Sequence, residues 1–234
     1  MTAHGERLLN LDSFRAFSRD FAAKSVPQFV FMSPNMMNDG HNTTLSTATD
    51  WSRSFLAPLL TDGAFAERTL IALTYDESED YAQPNHIVTL LLGSAVPQEL
   101  KGTTDDTFYT HYSLLATVQA NWGLHHLGRY DVGANVFKFV ADAAGYKGNR
   151  EPEGANAVNN SVSYPGMLHE DPDQRAAIPA PNLYLVGAGG LGVLPWIEAA
   201  WSGAKKTQTP YDGSGRVWDG DNPPVYGPPA PKTA

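Results

Sequence analysis

Residues 69–77 read TLIALTYDE, an apolar run that ends in two adjacent carboxylates, Asp76 and Glu77. A short apolar run without Gly or Pro, bounded by polar residues, is typical of a buried strand in a parallel sheet. Ligands and metals in open α/β sheets collect at the carboxyl ends of the strands. We therefore predict a strand from Thr69 to Tyr75 with a functional edge at Asp76 and Glu77. An ordinary acidic turn is the alternative.

The residues upstream predict the rest of a strand–helix–strand unit. Apolar residues at spacings of three and four predict a helix over 11–25. The sequence QFVFM predicts a short strand over 28–32, and a second helix follows over 46–60. Because such crossovers are right-handed, the strands 28–32 and 69–75 would be parallel, with their carboxyl ends at one edge.

That topology would bring Asn38, Asp39 and His41 of the intervening loop close to Asp76 and Glu77. Carboxylates with an imidazole suit a divalent metal or a phosphate site. Hard oxygen ligands hold Mg, Ca or Mn, and histidine also accepts Zn or Fe. The identity of the metal stays open. The alternative is a set of turn-forming residues with one surface histidine.

Downstream, residues 86–93 predict a third strand, which is antiparallel if the loop over 77–85 is too short for a helical crossover. Residues 111–124 predict a helix that ends at Gly123. The later chain is rich in Gly, Asn and Pro, and its last fifteen or so residues are predicted to be extended or disordered.

Composition limits the classes of function. The 234 residues carry a formal charge of −9 and contain no cysteine. The acidic balance argues against a nucleic-acid surface, and the lack of cysteine removes thiolate metal sites and cysteine nucleophiles. No apolar run approaches the ~18 residues of a membrane span. No signal peptide is visible at Met1, and nothing in the sequence indicates an oligomeric state.

Other motifs favour structural interpretations. GAGGLG over 187–192 follows the strand-like NLYLV and matches the letters of the dinucleotide fingerprint. Pro195 and the short remaining chain favour a glycine-rich loop packed against the domain over a cofactor site. His86 and His111 are predicted to be hydrogen-bonded structural histidines, and His125–His126 a capping or surface pair with a weaker alternative as metal ligands. Sequons at Asn42 and Asn159 permit N-glycosylation if the protein is secreted.

Four segments in order resemble one family: SPNMMNDGH over 33–41, TYDE over 74–77, NHIVT over 85–89 and THYSLLATV over 110–118. Together they resemble the phosphoesterase family of fungal acid phosphatases and bacterial and plant non-specific phospholipases C. The resemblance covers residues 20–140, extends weakly to the loop near 186, and is nearer to the acid phosphatases. It implies an α/β fold, with a partial alkaline-phosphatase-like sheet flanked by helices.

The resemblance implies a role for each matching residue. Asp76 and Glu77 match an acidic pair that holds the active-site divalent metal. His41 matches a histidine at the substrate phosphate or second metal position and is a possible catalytic residue. The role of His111 stays open. The set of substrate-binding candidates is Asn38, Asp39, His41 and His86.

The implied reaction is hydrolysis of a small phosphate ester, in which a Ser or Thr oxygen attacks phosphorus and water then releases phosphate. In the family, an acidic-Asn pair and the nucleophile lie ahead of the segment that matches Ser33. Only 32 residues precede Ser33 here, and they show neither. We therefore expect the C-terminal half of a phosphoesterase, an acid-phosphatase-like hydrolase whose activity in this chain stays open. The alternatives are a non-catalytic metal- or phosphate-binding remnant and a phospholipase C-like phosphodiesterase. The family also implies secretion.

The predicted organisation has two parts. Residues 1–144 would form the half-domain of the phosphoesterase. Residues 145–234 would form an irregular Gly- and Pro-rich extension that packs back through 182–200 and has a flexible end.

Overall fold

The fold is described from a computed structural model that covers residues 11–78, 80, 82–155, 166, 168–175, 179–203 and 209–217. These residues form six α-helices, two 3-10 helices (Gln98–Leu100 and Pro172–Gln174) and one two-stranded sheet. The elements are α1 Phe14–Ala22, α2 Leu45–Thr61, α3 Gly63–Ala66, β1 Ile71–Leu73, β2 Leu90–Leu92, α4 Tyr112–Trp122, α5 Lys138–Ala144 and α6 Pro195–Trp201. Helices with a small sheet agree with the predicted mixture of α and β structure.

The chain divides into two compact units. One takes in the chain up to Leu73 together with Leu90–Lys101, and the other takes in Thr74–Thr89 together with the chain from Gly102 onward. The segment between β1 and β2, which carries the acidic pair, therefore belongs to the second unit. The predicted boundary at residue 144 stays a prediction.

Aromatic side chains pack α1 against α2 in the first unit. The ring of Phe14 lies edge-on to Trp51 and Phe55, with centroids 5.6 and 5.4 Å away. Trp51 and Phe55, one helical turn apart, stack with centroids 5.2 Å apart. Phe17 lies between Phe55 and Phe65, which extends the cluster to α3. The spacing of three and four residues that predicted α1 is the spacing that places these rings on one face.

The three long helices lie within the ranges expected from the sequence, apart from one residue at each end of α2. The side chain of Thr44 accepts a hydrogen bond from the backbone N–H of Thr47 at 3.2 Å, which caps the N-terminus of α2. Helix α4 ends at Gly123, whose φ of 61° is left-handed and therefore suits glycine. The predicted end of that helix is confirmed.

The strands are shorter than predicted, and one pairing is wrong. Ile71 lies opposite Leu92 in an antiparallel ladder, which confirms the antiparallel third strand. Residues 28–32 are irregular, so the parallel partner expected for 69–75 is not a strand. Phe31 in that segment is 78% exposed. An apolar run forms a strand only where another strand pairs with its backbone, and the described residues offer none here.

The tightest packing lies in the second unit. Ala116 and Val136 are completely buried, and α5 packs against α4. The other buried apolar residues of this unit are Val132, Ala134, Phe137, Val140, Ala141, Ala180, Val193, Ile197 and Tyr211. Among the helices that the structure describes, none is both long and apolar enough to cross a lipid bilayer.

Candidate functional site

The acidic end of β1 is held by side chains from two distant parts of the second unit. The backbone carbonyl of Asp76 accepts one hydrogen bond from Asn85 Nδ2 and one from His111 Nε2, each at 2.8 Å. Asn85 Oδ1 in turn accepts the backbone N–H of Ser78 at 2.8 Å. The side chains of Asp76 and Glu77 are exposed. The backbone here is thus fixed while both carboxylates face solvent.

The polar loop before α2 is organised by its own hydrogen bonds. Asp39 Oδ1 accepts the backbone N–H of His41 at 2.9 Å, an Asx turn. Asn35 Oδ1 accepts the backbone N–H of Met37 at 3.1 Å, and the backbone N–H of Asn38 donates to the carbonyl of Asn35 at 2.8 Å. The imidazole of His41 is exposed at the end of this turn. The loop thus presents His41 on a short, ordered turn.

The loop over 38–41 and the acidic pair were expected to meet at one edge of a parallel pair of strands, 28–32 and 69–75. The described residues do not contain that pair. Asn38 to His41 belong to the first unit, and Asp76 and Glu77 belong to the second. Residues 28–32 and 69–75 do not form a parallel pair of strands, because 28–32 is irregular. His86 is exposed directly beside Asn85. The joint site of all these residues stays a prediction.

The acidic pair has the side-chain chemistry of metal ligands. Two exposed, adjacent carboxylates have the oxygen chemistry that a hard divalent cation requires. Within the described parts of the chain, however, no group of three or more His, Asp or Glu side chains is arranged to hold a metal ion. Asp76 and Glu77 therefore have the chemistry of metal ligands, and their binding of a metal stays a prediction.

A buried polar cluster behind α4 was not anticipated from the sequence. Asp131, 1% exposed, accepts hydrogen bonds from Gln119 Nε2 at 2.8 Å and from the backbone N–H groups of Leu127 and Arg129. His126 is completely buried and donates from Nε2 to the carbonyl of Leu185 at 2.8 Å. The surface interpretation of His126 is therefore wrong. A buried histidine and carboxylate with satisfied hydrogen bonds indicate a structural role.

The glycine-rich loop is packed against this cluster, as favoured from the sequence. A Cβ on Gly187 would lie 2.9 Å from the Cβ of His126, and one on Gly189 would clash with the carbonyl of Leu124. These glycines therefore permit close packing. The predicted strand over 182–186 is irregular, and the bridge nearby pairs His126 with Val193.

A cavity of about 430 Å³ lies beside α5. Its lining includes Lys138, Tyr146, Lys147, Asn149 and Arg150, and none of the residues predicted for the site. Burial raises the pKa of the Tyr146 hydroxyl, and nearby Arg150 partly offsets this effect. The candidate chemistry therefore remains with the acidic strand end rather than with this cavity.

Comparison with known proteins assigns the region that contains the candidate site residues to a known family. The model described as the phosphoesterase family matches residues 3–125, which include all the predicted site residues. A probable acid phosphatase of Kluyveromyces lactis is 45% identical over 195 residues, covering 83% of this chain and 45% of the relative. An acid phosphatase of Aspergillus fumigatus is 41% identical over 219 residues, covering 91% of this chain and 48% of the relative.

A more distant similarity extends to a different phosphatase. A phosphatidylinositol-3-phosphatase of Mycobacterium tuberculosis is 29% identical over 115 residues, covering 49% of this chain and 36% of the relative. No solved structure shows a significant match. The chain spans about half the length of the fungal relatives it matches.

Proposed function

Because the chain belongs to the phosphoesterase family, we propose that it serves the hydrolysis of small phosphate esters, in the manner of an acid phosphatase. The match over residues 3–125 carries this proposal, since it contains the acidic strand end. The fungal relatives named acid phosphatase support this substrate class. A phospholipase C-like phosphodiesterase is the alternative within the family.

The proposed site assigns a task to each candidate residue. Asp76 and Glu77 supply two ligands of a divalent metal, which when bound stabilises negative charge on the phosphoryl oxygens. His41 lies at the substrate phosphate, and Asp39 orders the turn that presents it. Further substrate contacts are proposed for Asn38 and His86. The Ser or Thr that supplies the attacking oxygen is not among these candidates.

The proposed protein context follows the family resemblance. The described residues are taken as part of an alkaline-phosphatase-like sheet with a Gly- and Pro-rich extension. The protein is proposed to be secreted and to carry a glycan at Asn42, which is exposed in the loop before α2. The second sequon, at Asn159, lies outside the described residues.

The proposal is tested by turnover of p-nitrophenyl phosphate at acidic pH with Mg²⁺, Mn²⁺, Ca²⁺ or Zn²⁺. We expect metal-dependent turnover that Asp76→Asn abolishes, because the substitution removes a charged metal ligand. Asp50→Asn, on the exposed surface of α2, is the matched control and should retain activity. Turnover by Asp76→Asn at the unmutated rate would contradict the assigned role.

A non-catalytic binding remnant is the second candidate. It is favoured because none of the candidate site residues, Asn38, Asp39, His41, Asp76, Glu77 and His86, is a Ser or Thr nucleophile. Calorimetry with the same metals and inorganic phosphate separates the two functions. Binding without turnover supports the remnant, whereas metal-dependent turnover supports the enzyme.

A further inference from the structure

The carbonyl of Asp76 is an unusual hydrogen-bond acceptor, because two side chains distant in sequence converge on it. Asn85 reaches it across nine residues and His111 across thirty-five, both at 2.8 Å. A carbonyl oxygen only accepts, so His111 Nε2 carries the proton. We propose that Asn85 and His111 are positioning residues that clamp the backbone at Asp76 and so aim the carboxylates of Asp76 and Glu77.

The Asn85 amide uses both its ends. Nδ2 donates to the carbonyl of Asp76, while Oδ1 accepts the backbone N–H of Ser78 at 2.8 Å. One planar group therefore spans the peptide units on either side of Glu77. Rotation of that backbone would break both hydrogen bonds at once, so the orientation of the Glu77 side chain is coupled to Asn85.

His111 ties the same carbonyl to the start of α4. Its side chain makes no capping hydrogen bond to α4, although it directly precedes that helix. Thr89 Oγ1 also donates to Thr74 Oγ1 at 2.9 Å, which joins the two ends of the segment between β1 and β2. The acidic turn is therefore held from the loop and from the helix.

The catalytic role of the clamp rests on the proposed function, in which Asp76 and Glu77 hold a divalent metal. Groups that orient metal ligands without touching the metal usually change its affinity by about 10- to 100-fold when removed. The carboxylates of Asp76 and Glu77 make the contact, whereas Asn85 and His111 act through the backbone that carries them. Their loss should weaken binding without removing a ligand.

Nuclear magnetic resonance tests the clamp without reference to activity. In Asn85→Ala, we expect the amide proton of Ser78 to exchange about tenfold faster, because it loses its acceptor. The carbonyl ¹³C shift of Asp76 should move upfield in Asn85→Ala and in His111→Ala. His111→Gln, which retains an Nε2 donor, should restore the shift. Asn121→Ala, exposed near the end of α4, should change neither signal.

Mn²⁺ alone, followed by electron paramagnetic resonance, tests whether the clamp positions the carboxylates. Asn85→Ala and His111→Ala should bind Mn²⁺ about 10- to 100-fold more weakly, and His111→Gln should recover most of the affinity. Circular dichroism confirms that each variant is folded.

The outcomes separate the clamp from the proposed function. Unchanged Ser78 exchange and Asp76 shift in the variants would overturn the clamp. Unweakened Mn²⁺ binding by both Ala variants, with binding lost in Asp76→Asn, would overturn its positioning role. If the unmutated chain bound no Mn²⁺, the metal assignment would fail, and the exchange and shift measurements alone would decide the clamp.

Discussion

The hydroxyl of Tyr109 shows how one side chain controls the ionisation of another. It donates to Asp105 Oδ2 at 2.6 Å and accepts the backbone N–H of Lys138 at 2.9 Å. Burial raises the pKa of Tyr109, and the hydrogen bond to Asp105 raises it further. Burial also raises the pKa of Asp105, but hydrogen bonds from Tyr109 and Thr107 outweigh it and leave that pKa below its usual value.

A pH-dependent stability follows from Asp105. Because its pKa is lower in the folded than in the unfolded state, its contribution is present above the unfolded value of ~3.9 and is lost as pH falls through the folded value. Tyr109→Phe should raise the folded pKa and make the loss of stability below pH ~4 shallower. Urea unfolding at several pH values measures this, with exposed Tyr184→Phe as the control. Equal slopes for Tyr109→Phe and the unmutated chain would contradict it.

At the level of secondary-structure elements, contacts between aromatic rings hold α1 against α2. Both helices are amphipathic, yet of their residues only Ala16 and Leu59 are buried. Their packing therefore depends on half-buried aromatic rings that touch one another rather than on a closed core.

Phe55 is the ring on which this packing should depend most. It contacts Phe14, Phe17 and Trp51, with centroids 5.2 to 5.9 Å apart. Phe55→Ala should lower the free energy of unfolding by about 2–3 kcal/mol, below the range for a fully buried ring because Phe55 is half-buried. Leu45→Ala, 80% exposed on the same helix, should change it by less than ~0.5 kcal/mol. Equal losses in the two variants, measured by denaturant unfolding, would contradict the cluster's role.

At the scale of the whole molecule, burial is uneven. Four residues of α4 are buried, whereas α1 and α2 each bury one. A backbone amide exchanges slowly when its segment can open only together with the tightly packed residues around it. The stable part of the described chain is therefore expected around α4 and the residues that pack on it.

Hydrogen exchange followed by mass spectrometry measures this distribution. Peptides from α4 should retain protected amides for longer than peptides from α1 and α2, because α4 opens only when buried residues such as Ala116 lose their packing. The internal comparison is α1, which has nine residues against the eleven of α4 and is less buried. Faster exchange in α4 than in α1 would show that the buried residues do not govern stability.

Local patterns predicted the three long helices α1, α2 and α4, but not the shorter helices α3, α5 and α6. The periodicity of apolar residues predicted α1, and Gly123 marked the end of α4, because these signals act within one or two turns of chain. The segment 28–32 has strand-like residues but is irregular. Pairing depends on a second segment, and nothing in five residues specifies that partner.

The candidate site, like the fold, has one part that the sequence predicted and another part that it did not. The strand end at Asp76 and Glu77 is visible as a change from apolar to acidic residues in neighbouring positions, and the ordered segments carry the family resemblance. The pairing of Asn85 and His111 at the carbonyl of Asp76 has no such signal. An asparagine before a strand and a histidine before a helix are each ordinary, and only their convergence is informative.

The sequence by itself determined the three long helices, the acidic strand end and the family, because each depends on the order and spacing of neighbouring residues. The tertiary structure decided that His126 and Asp131 are buried and that Asp76 is held from two sides. It also decided that β1 pairs with β2 rather than with a parallel partner. These properties join residues far apart in the chain, and burial and hydrogen bonding depend on which distant groups arrive together.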